Sequence, residues 1–216
     1  MIIELIGLPG SGKSFLVKKI FNKLKRSKKK IILENRININ FFSKLFYLLS
    51  FFVKNFIYIL LLIFLNFSNK SLSPIWKKRH FYWIIREMFL LEYCNYKNYS
   101  LLRSEGLHHR LLFYLTLVEK NYLNFFGNLL IRLTPIPDLL IMLSISKKRS
   151  IKLVYLRNKG YKYGKKEVEE LNSRQLILKK IKNFFNKNKK QNFVYLKNNK
   201  QKKNFLNNLK KYNEKF

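Results

Sequence analysis

Eight consecutive residues, Gly7-Leu8-Pro9-Gly10-Ser11-Gly12-Lys13-Ser14, constrain this chain more than any other stretch of it. Before them runs Met1-Ile2-Ile3-Glu4-Leu5-Ile6, mostly apolar and short, as a buried parallel strand should be. After them come Phe15, Leu16, Val17, Ile20, Phe21 and Leu24, an apolar set at helical spacing. A glycine turn between a strand and a helix is the setting in which backbone N–H groups can wrap a phosphate, with the helix dipole adding positive charge. The residues Gly7 to Ser14, and Phe15 behind them, are therefore expected to bind a nucleotide. In that reading Lys13 reaches the β- and γ-phosphates and Ser14 offers its hydroxyl to magnesium, so that ATP and Mg²⁺ are the expected cofactors. Three of the seven glycines of the chain, Gly7, Gly10 and Gly12, fall in this one turn.

The remaining pattern alternates. Ile31-Ile32-Leu33 reads as a second strand, completing a βαβ unit. Tyr99-Ser100-Leu101-Leu102, Leu139 to Leu143 and Phe193-Val194-Tyr195-Leu196 read as three more. Helices are expected at 107–126 with Gly127 near the end, from a Ser146 cap to Lys159 with Gly160 stopping it, at 165–186 and at 200–212. The fold class expected is α/β: a P-loop NTPase of three layers, with a five-stranded parallel sheet and helices on both faces. A single domain over 1–216 is expected, with a helical acceptor-site region at 38–95 and a lid at about 155–166.

That helical region is unusually apolar. Residues 45–65 reach the length that spans a bilayer. Lys44, Tyr47, Ser50, Lys54 and Tyr58, however, recur every three or four positions as a polar stripe, with Lys54 near what would be the bilayer centre. A buried helix of a soluble layer is the simpler reading, with one lying on a membrane surface or spanning it as the alternatives. Pro74 opens a further helix carrying Trp76, Trp83 and Ile84 on its apolar side.

Charge is less decisive than it looks. Lys and Arg number 45 against 11 acids, a net charge of +34, which attracts nucleic acid, anionic lipid or phosphorylated substrates. The cations are dispersed along the whole chain, so nucleic acid is not the favoured partner, while contact with an anionic membrane surface stays open. The lone Cys94 excludes an internal disulfide framework and a cysteine zinc site, and favours a reducing compartment. With the strand and glycine loop at residue 1 onwards leaving no space for a leader peptide, a cytoplasmic seat is expected, with the inner face of the membrane as the alternative.

Phosphoryl transfer needs carboxylates, and in parallel sheets they belong at the carboxyl ends of strands. Asp138, the one aspartate, stands before its strand and reads as a turn or capping residue. Glu34 and Glu105 stand at the correct ends. Glu105 is the candidate for the magnesium shell, together with Ser14; Glu34 is the candidate for orienting or deprotonating the acceptor. Arg36 and Arg103 lie beside them, and Arg157 is placed to stabilise the transferring phosphoryl group from a lid. His108-His109 lacks the company of a metal site and reads as a helix-start or loop pair.

Taken in order, Gly7 to Ser14, Glu34, Ser104-Glu105-Gly106, Pro137-Asp138-Leu139-Leu140-Ile141 and Arg157 resemble the P-loop nucleoside and nucleotide kinases, thymidylate kinase in particular. Ser104-Glu105-Gly106-Leu107 is also similar to the Asp-Glu-Gly-Leu motif of kinase-like proteins. The resemblance implies a kinase that passes the γ-phosphoryl group of ATP to a nucleoside, nucleotide or sugar-like acceptor, with Lys13, Glu34, Glu105 and Arg157 at the chemistry. It departs at Ser104, where an aspartate is usual, and in lacking the Asp-Arg pair of thymidylate kinase. A non-catalytic or slowly hydrolysing ATP-binding protein is therefore the alternative, and a peripheral membrane or nucleic-acid-binding protein the third. Neither the acceptor nor the oligomeric state is written in the sequence.

Overall fold

The computed structural model describes residues 1–25, 31–33, 51–68, 73–157, 164–188 and 192–209. Its strands are β1 (Ile2–Gly7), β2 (Ile31–Leu33), β3 (Ser100–Arg103), β4 (Leu139–Leu143) and β5 (Phe193–Leu196). They form one sheet in the order β2-β3-β1-β4-β5, every neighbour parallel. The glycine-loop strand is thus central, and its carboxyl end opens where the strand order reverses, the place such sheets bind ligands.

Side-chain alternation builds two cores. On one face Ile3, Leu5, Leu102, Leu139, Ile141 and Leu143 pack against helices α1 (Lys13–Lys25) and, from the end of the chain, α9 (Asn199–Asn207). On the other, Ile2, Ile6, Leu101, Leu140 and Met142 meet α2 (Phe56–Ser68), α3 (Pro74–Tyr96), α4 (Leu107–Thr116), α6 (Phe126–Leu133) and α8 (Lys165–Asn188). The period of two in each strand assigns these faces directly. A parallel α/β sheet covered on both sides is what the alternating sequence pattern called for.

Several local expectations change. Phe15 does not join the buried face of α1: Leu16, Ile20 and Leu24 fill that stripe, and Phe15 is exposed with Lys19 above its ring. The helix expected at 107–126 is broken. Leu117 caps α4, and Glu119 is extended before the short α5 (Lys120–Leu123). Gly127 lies in the first turn of α6 rather than at the end of the preceding helix; a Cβ there would stand 3.1 Å from Leu123 Cδ1 and 3.6 Å from Leu115 Cδ2, so glycine lets these turns approach. β3 runs one residue further than expected and carries Arg103 into the interior.

The apolar region also resolves differently. Tyr58, named in the polar stripe, is buried and within 3.3 Å of Thr134 Oγ1, whereas Lys54 points outward and pairs with Glu92 at 3.1 Å. Burial, eased by the Thr134 hydrogen bond, raises the Tyr58 hydroxyl above its ordinary value. Helix α2 buries Tyr58, Ile59, Leu61, Leu62 and Leu65 and exposes Phe56, Ile57, Leu60, Phe64 and Phe67. The helix is half-buried, not enclosed. Among the described residues no helix is long and apolar enough to cross a membrane. Trp76 is exposed too, leaving Ile84 as the buried member of its trio. Cys94 is buried, and burial pushes its thiol up to about 11.

Candidate functional site

The glycine loop leaves β1 at Gly7 and re-enters regular structure at Lys13, and each glycine in it has a steric reason. Gly10 and Gly12 take φ of 75° and 89°, where a side chain is strained. At Gly7 a Cβ would lie 2.6 Å from the Leu143 carbonyl of β4. Four loop carbonyls are then secured. Lys13 Nζ donates to Gly7 O at 2.9 Å and Leu8 O at 3.2 Å. Ser150 Oγ, from α7 (Lys147–Arg157), donates to Pro9 O at 2.6 Å, and Lys202 Nζ of α9 donates to Ser11 O at 3.1 Å. With no cis bonds among the described residues, each peptide plane points its N–H opposite its C=O. Holding Pro9 O and Ser11 O therefore aims the Gly10 and Gly12 N–H groups the other way, as a phosphate cradle requires. Ser14 is exposed at the head of α1, and Ser11 is buried within the loop.

Glu105 stands just past β3, with its side chain about half exposed. Its oxygens lie 3.5 Å from Arg110 Nη2 and 3.9 Å from His109 Nε2. His109 is itself buried on α4, and its neutral form is favoured first by burial and then by Lys13, Arg110 and Arg174, which hold it well below the ordinary imidazole value. Lys13, Glu105, His109, Arg110 and Arg174 thus share one neighbourhood at the carboxyl end of the sheet. Aromatic rings stiffen it: Arg110 lies 4.7 Å over Trp83, and Arg174 lies 3.9 Å over Phe113.

Of the other sequence candidates, Asp138 sits at the opposite end of the sheet, where it accepts from Ile2 N at 2.6 Å. Glu34 and Arg36 lie outside the described residues. Arg157 is the last residue of α7. Ser146, as expected, caps that helix, accepting from Arg149 N at 3.3 Å.

Sequence reasoning missed the carboxylate most deeply built into the site. Glu4, in the middle of β1, is buried and accepts from His108 N at 2.5 Å and His109 N at 3.2 Å, while His108 Nδ1 lies 2.9 Å from its second oxygen. It caps α4 from another element, since the residue before that helix is Gly106. A charged residue in an otherwise apolar strand was the available signal. Arg103, expected to neutralise phosphate or to pair with the carboxylates Glu34 and Glu105, is instead buried and ion-paired with the buried Glu87 of α3, a structural role.

By sequence, no protein-family model and no curated protein matches the chain. By structure, it is similar to deoxyadenosine kinase from M. mycoides with bound dATP, at 18% identity and a TM-score of 0.51 over 97% of this chain and 100% of that one. The same kinase with products dCMP and a flexible dCDP bound gives 18% identity and a TM-score of 0.52 over 98% and 100%. The likeness is one of fold: the chain is built on the fold of that kinase. Within this fold, the glycine loop and Glu105 occupy the carboxyl end of the central strands, and Trp83 of α3 stands beside Arg110 there.

Proposed function

We propose that the chain is a phosphotransferase that binds ATP with magnesium at Gly7 to Ser14 and transfers the γ-phosphoryl group to a small acceptor of the nucleoside, nucleotide or sugar class. The observation that carries this reading is the loop itself: left-handed glycines and secured carbonyls leave backbone N–H groups aimed to one side, beside an exposed carboxylate and a cluster of cations. Lys13 would exchange its carbonyl partners for the β- and γ-oxygens, and Phe15 would line the nucleotide from the exposed side of α1.

Magnesium suits this donor set, because it keeps much of its shell as water and phosphate oxygen and needs few protein ligands. Ser14 and Glu105 would hold it, and when bound it would neutralise charge developing on the phosphate oxygens. The described residues contain no group of three or more His, Cys, Asp or Glu side chains suited to a protein-enclosed metal, which agrees with a cation held mainly by its nucleotide. Glu34 is assigned to orient or deprotonate the acceptor hydroxyl, and Arg157 to stabilise the phosphoryl group from the lid. Arg110, whose Nη2 lies 3.5 Å from Glu105, holds that carboxylate in place beside the loop.

Deoxyribonucleosides are the first acceptors to try, since the structural neighbours are structures of a deoxyadenosine kinase. The test is transfer of labelled γ-phosphate from ATP into a panel of nucleosides and fractionated metabolites, with Lys13→Ala as the blank. Label in a product that disappears in the variant supports the kinase; ATP binding with no labelled product anywhere rejects it. The second reading, an ATP-binding protein without transfer, is favoured by Asp138 lying at the wrong end of the sheet. Loss of transfer with retained nucleotide binding in Glu105→Gln would dispose of that alternative.

A further inference from the structure

We propose that the outer face of α2 docks on an anionic membrane surface, lying flat in the headgroup layer rather than crossing it.

The face is a continuous apolar stripe. Residues 51–54 are helical, and Asn55 N donates to Phe51 O and Ile59 N to Asn55 O, each at 3.0 Å, so one run of helical bonds joins them to α2. Along it Val53, Phe56, Ile57, Leu60, Phe64 and Phe67 are all exposed, Ile57 by 70% and Phe67 by 82%. Their recurrence every three or four residues sets them on one side, over a length of about 21 Å at about 1.5 Å per residue. The opposite side, with Tyr58, Leu62 and Leu65, is the one packed in the core. A helix at the surface of a soluble domain ordinarily turns its polar side to water. This one turns apolar side chains outward, and contiguous apolar surface marks a place that another apolar phase covers.

Charge chooses the occupant. From residue 35 to residue 86 the chain holds eight Lys or Arg and no acid. The acids that follow are engaged: Glu87 is buried against Arg103, and Glu92 lies 3.1 Å from Lys54 Nζ and accepts from Asn55 Nδ2 at 3.3 Å. At the far end Asn66 Nδ2 donates to Lys77 O at 3.3 Å. That bond fastens the last turn of α2 to the start of α3, where Lys78 and Arg79 are exposed.

Apolar side chains flanked by cations match a bilayer with anionic headgroups, whose phosphates take the cations while its acyl boundary takes the stripe. Such docking needs one helix face and no spanning length. A second copy of the chain would instead bring a like-charged face of a +34 molecule against this one. Nucleic acid would satisfy the cations but leave Val53, Ile57 and Leu60 against a phosphate backbone.

Co-sedimentation of the full chain with vesicles tests this, using phosphatidylcholine alone and phosphatidylcholine with about one-third phosphatidylserine, at about 0.15 M salt. The native chain should bind the anionic vesicles at least about tenfold more tightly than the neutral ones. Ile57→Gln with Phe67→Gln should weaken that binding at least about tenfold, because two apolar side chains are lost to the bilayer, while the urea midpoint stays in place. Ile57→Trp reads the seating directly. Brominated acyl chains should quench its added emission, since they reach a stripe seated in the bilayer and not a chain held above it by charge alone. Undiminished binding in the double glutamine variant, no added quenching in Ile57→Trp, or equal affinity for neutral vesicles overturns the proposal. A dimer in sedimentation velocity that the double variant dissolves assigns the face to a second copy and overturns it too. Should the double variant fail to fold, quenching in Ile57→Trp decides alone.

Discussion

At the scale of single residues, Glu4 and Gly106 form a pair that neither explains alone. A Cβ on Gly106 would stand 2.7 Å from the Glu4 carboxyl carbon, so glycine there admits a carboxylate that does the capping. Removing it leaves the His108 and His109 N–H groups buried without their acceptor. Glu4→Ala should cost about 3–5 kcal/mol and Glu4→Gln, which keeps an oxygen but not the charge, about 1–3 kcal/mol. Gly106→Ala, through overpacking, should cost about 1–3 kcal/mol. Urea midpoints at an unchanged slope measure all three. His109 makes a prediction in pH. Its folded pKa lies below the ordinary 6.5, so as pH falls through that value the unfolded chain binds the proton first. Stability present above 6.5 is therefore lost on acidification, by up to about 1.4 kcal/mol per pH unit. His80, shifted the same way by burial and by Arg110 and Arg79, adds to it. His109→Gln should flatten the midpoint-against-pH curve between pH 6.5 and 5; an unaltered slope would show that His109 protonates as readily in the folded chain.

At the scale of elements, α2 separates what a pattern can tell from what it cannot. Its composition is apolar all round, yet only the face carrying Leu62 and Leu65 is covered. Leu62→Ala should cost about 2–5 kcal/mol by leaving a cavity, whereas Ile57→Lys on the open face should shift stability by no more than about 0.5 kcal/mol. Comparable losses at both sites, again by urea midpoint, would mean that the outer face is covered in solution. The strands were readable because β1 and β4 are short apolar runs ending in turn residues. The α4 break was not, because Leu117 and Val118 continue the apolar pattern and the chain turns where Glu119 becomes extended. Nor does periodicity report which of Trp76, Trp83 and Ile84 finds a partner, since that depends on helices far away in sequence.

At the scale of the molecule, the loop and the strand-end Glu105 were legible because each is local: a glycine spacing, and a position relative to one strand. Glu4, Lys202 and the Arg103–Glu87 pair were not, because each depends on residues brought together across 16 to 191 positions of chain. Charge acts on this same scale. With +34 spread over the chain, self-repulsion opposes the compact state, and it fades as chloride shortens the screening length from about 10 Å at 0.1 M to about 3 Å at 1 M. The melting temperature of the nucleotide-free chain should therefore rise over that range. ATP should do the opposite: at a hundredfold excess over its dissociation constant it adds about 2.7 kcal/mol at low salt, and the gain should shrink as chloride screens Lys13 and its neighbours. Scanning calorimetry with and without ATP across the salt series resolves the two trends, and Lys13→Ala should keep the first and abolish the second. A melting temperature that falls with chloride in the free chain would mean that its few carboxylates hold the surface together more strongly than its lysines push it apart.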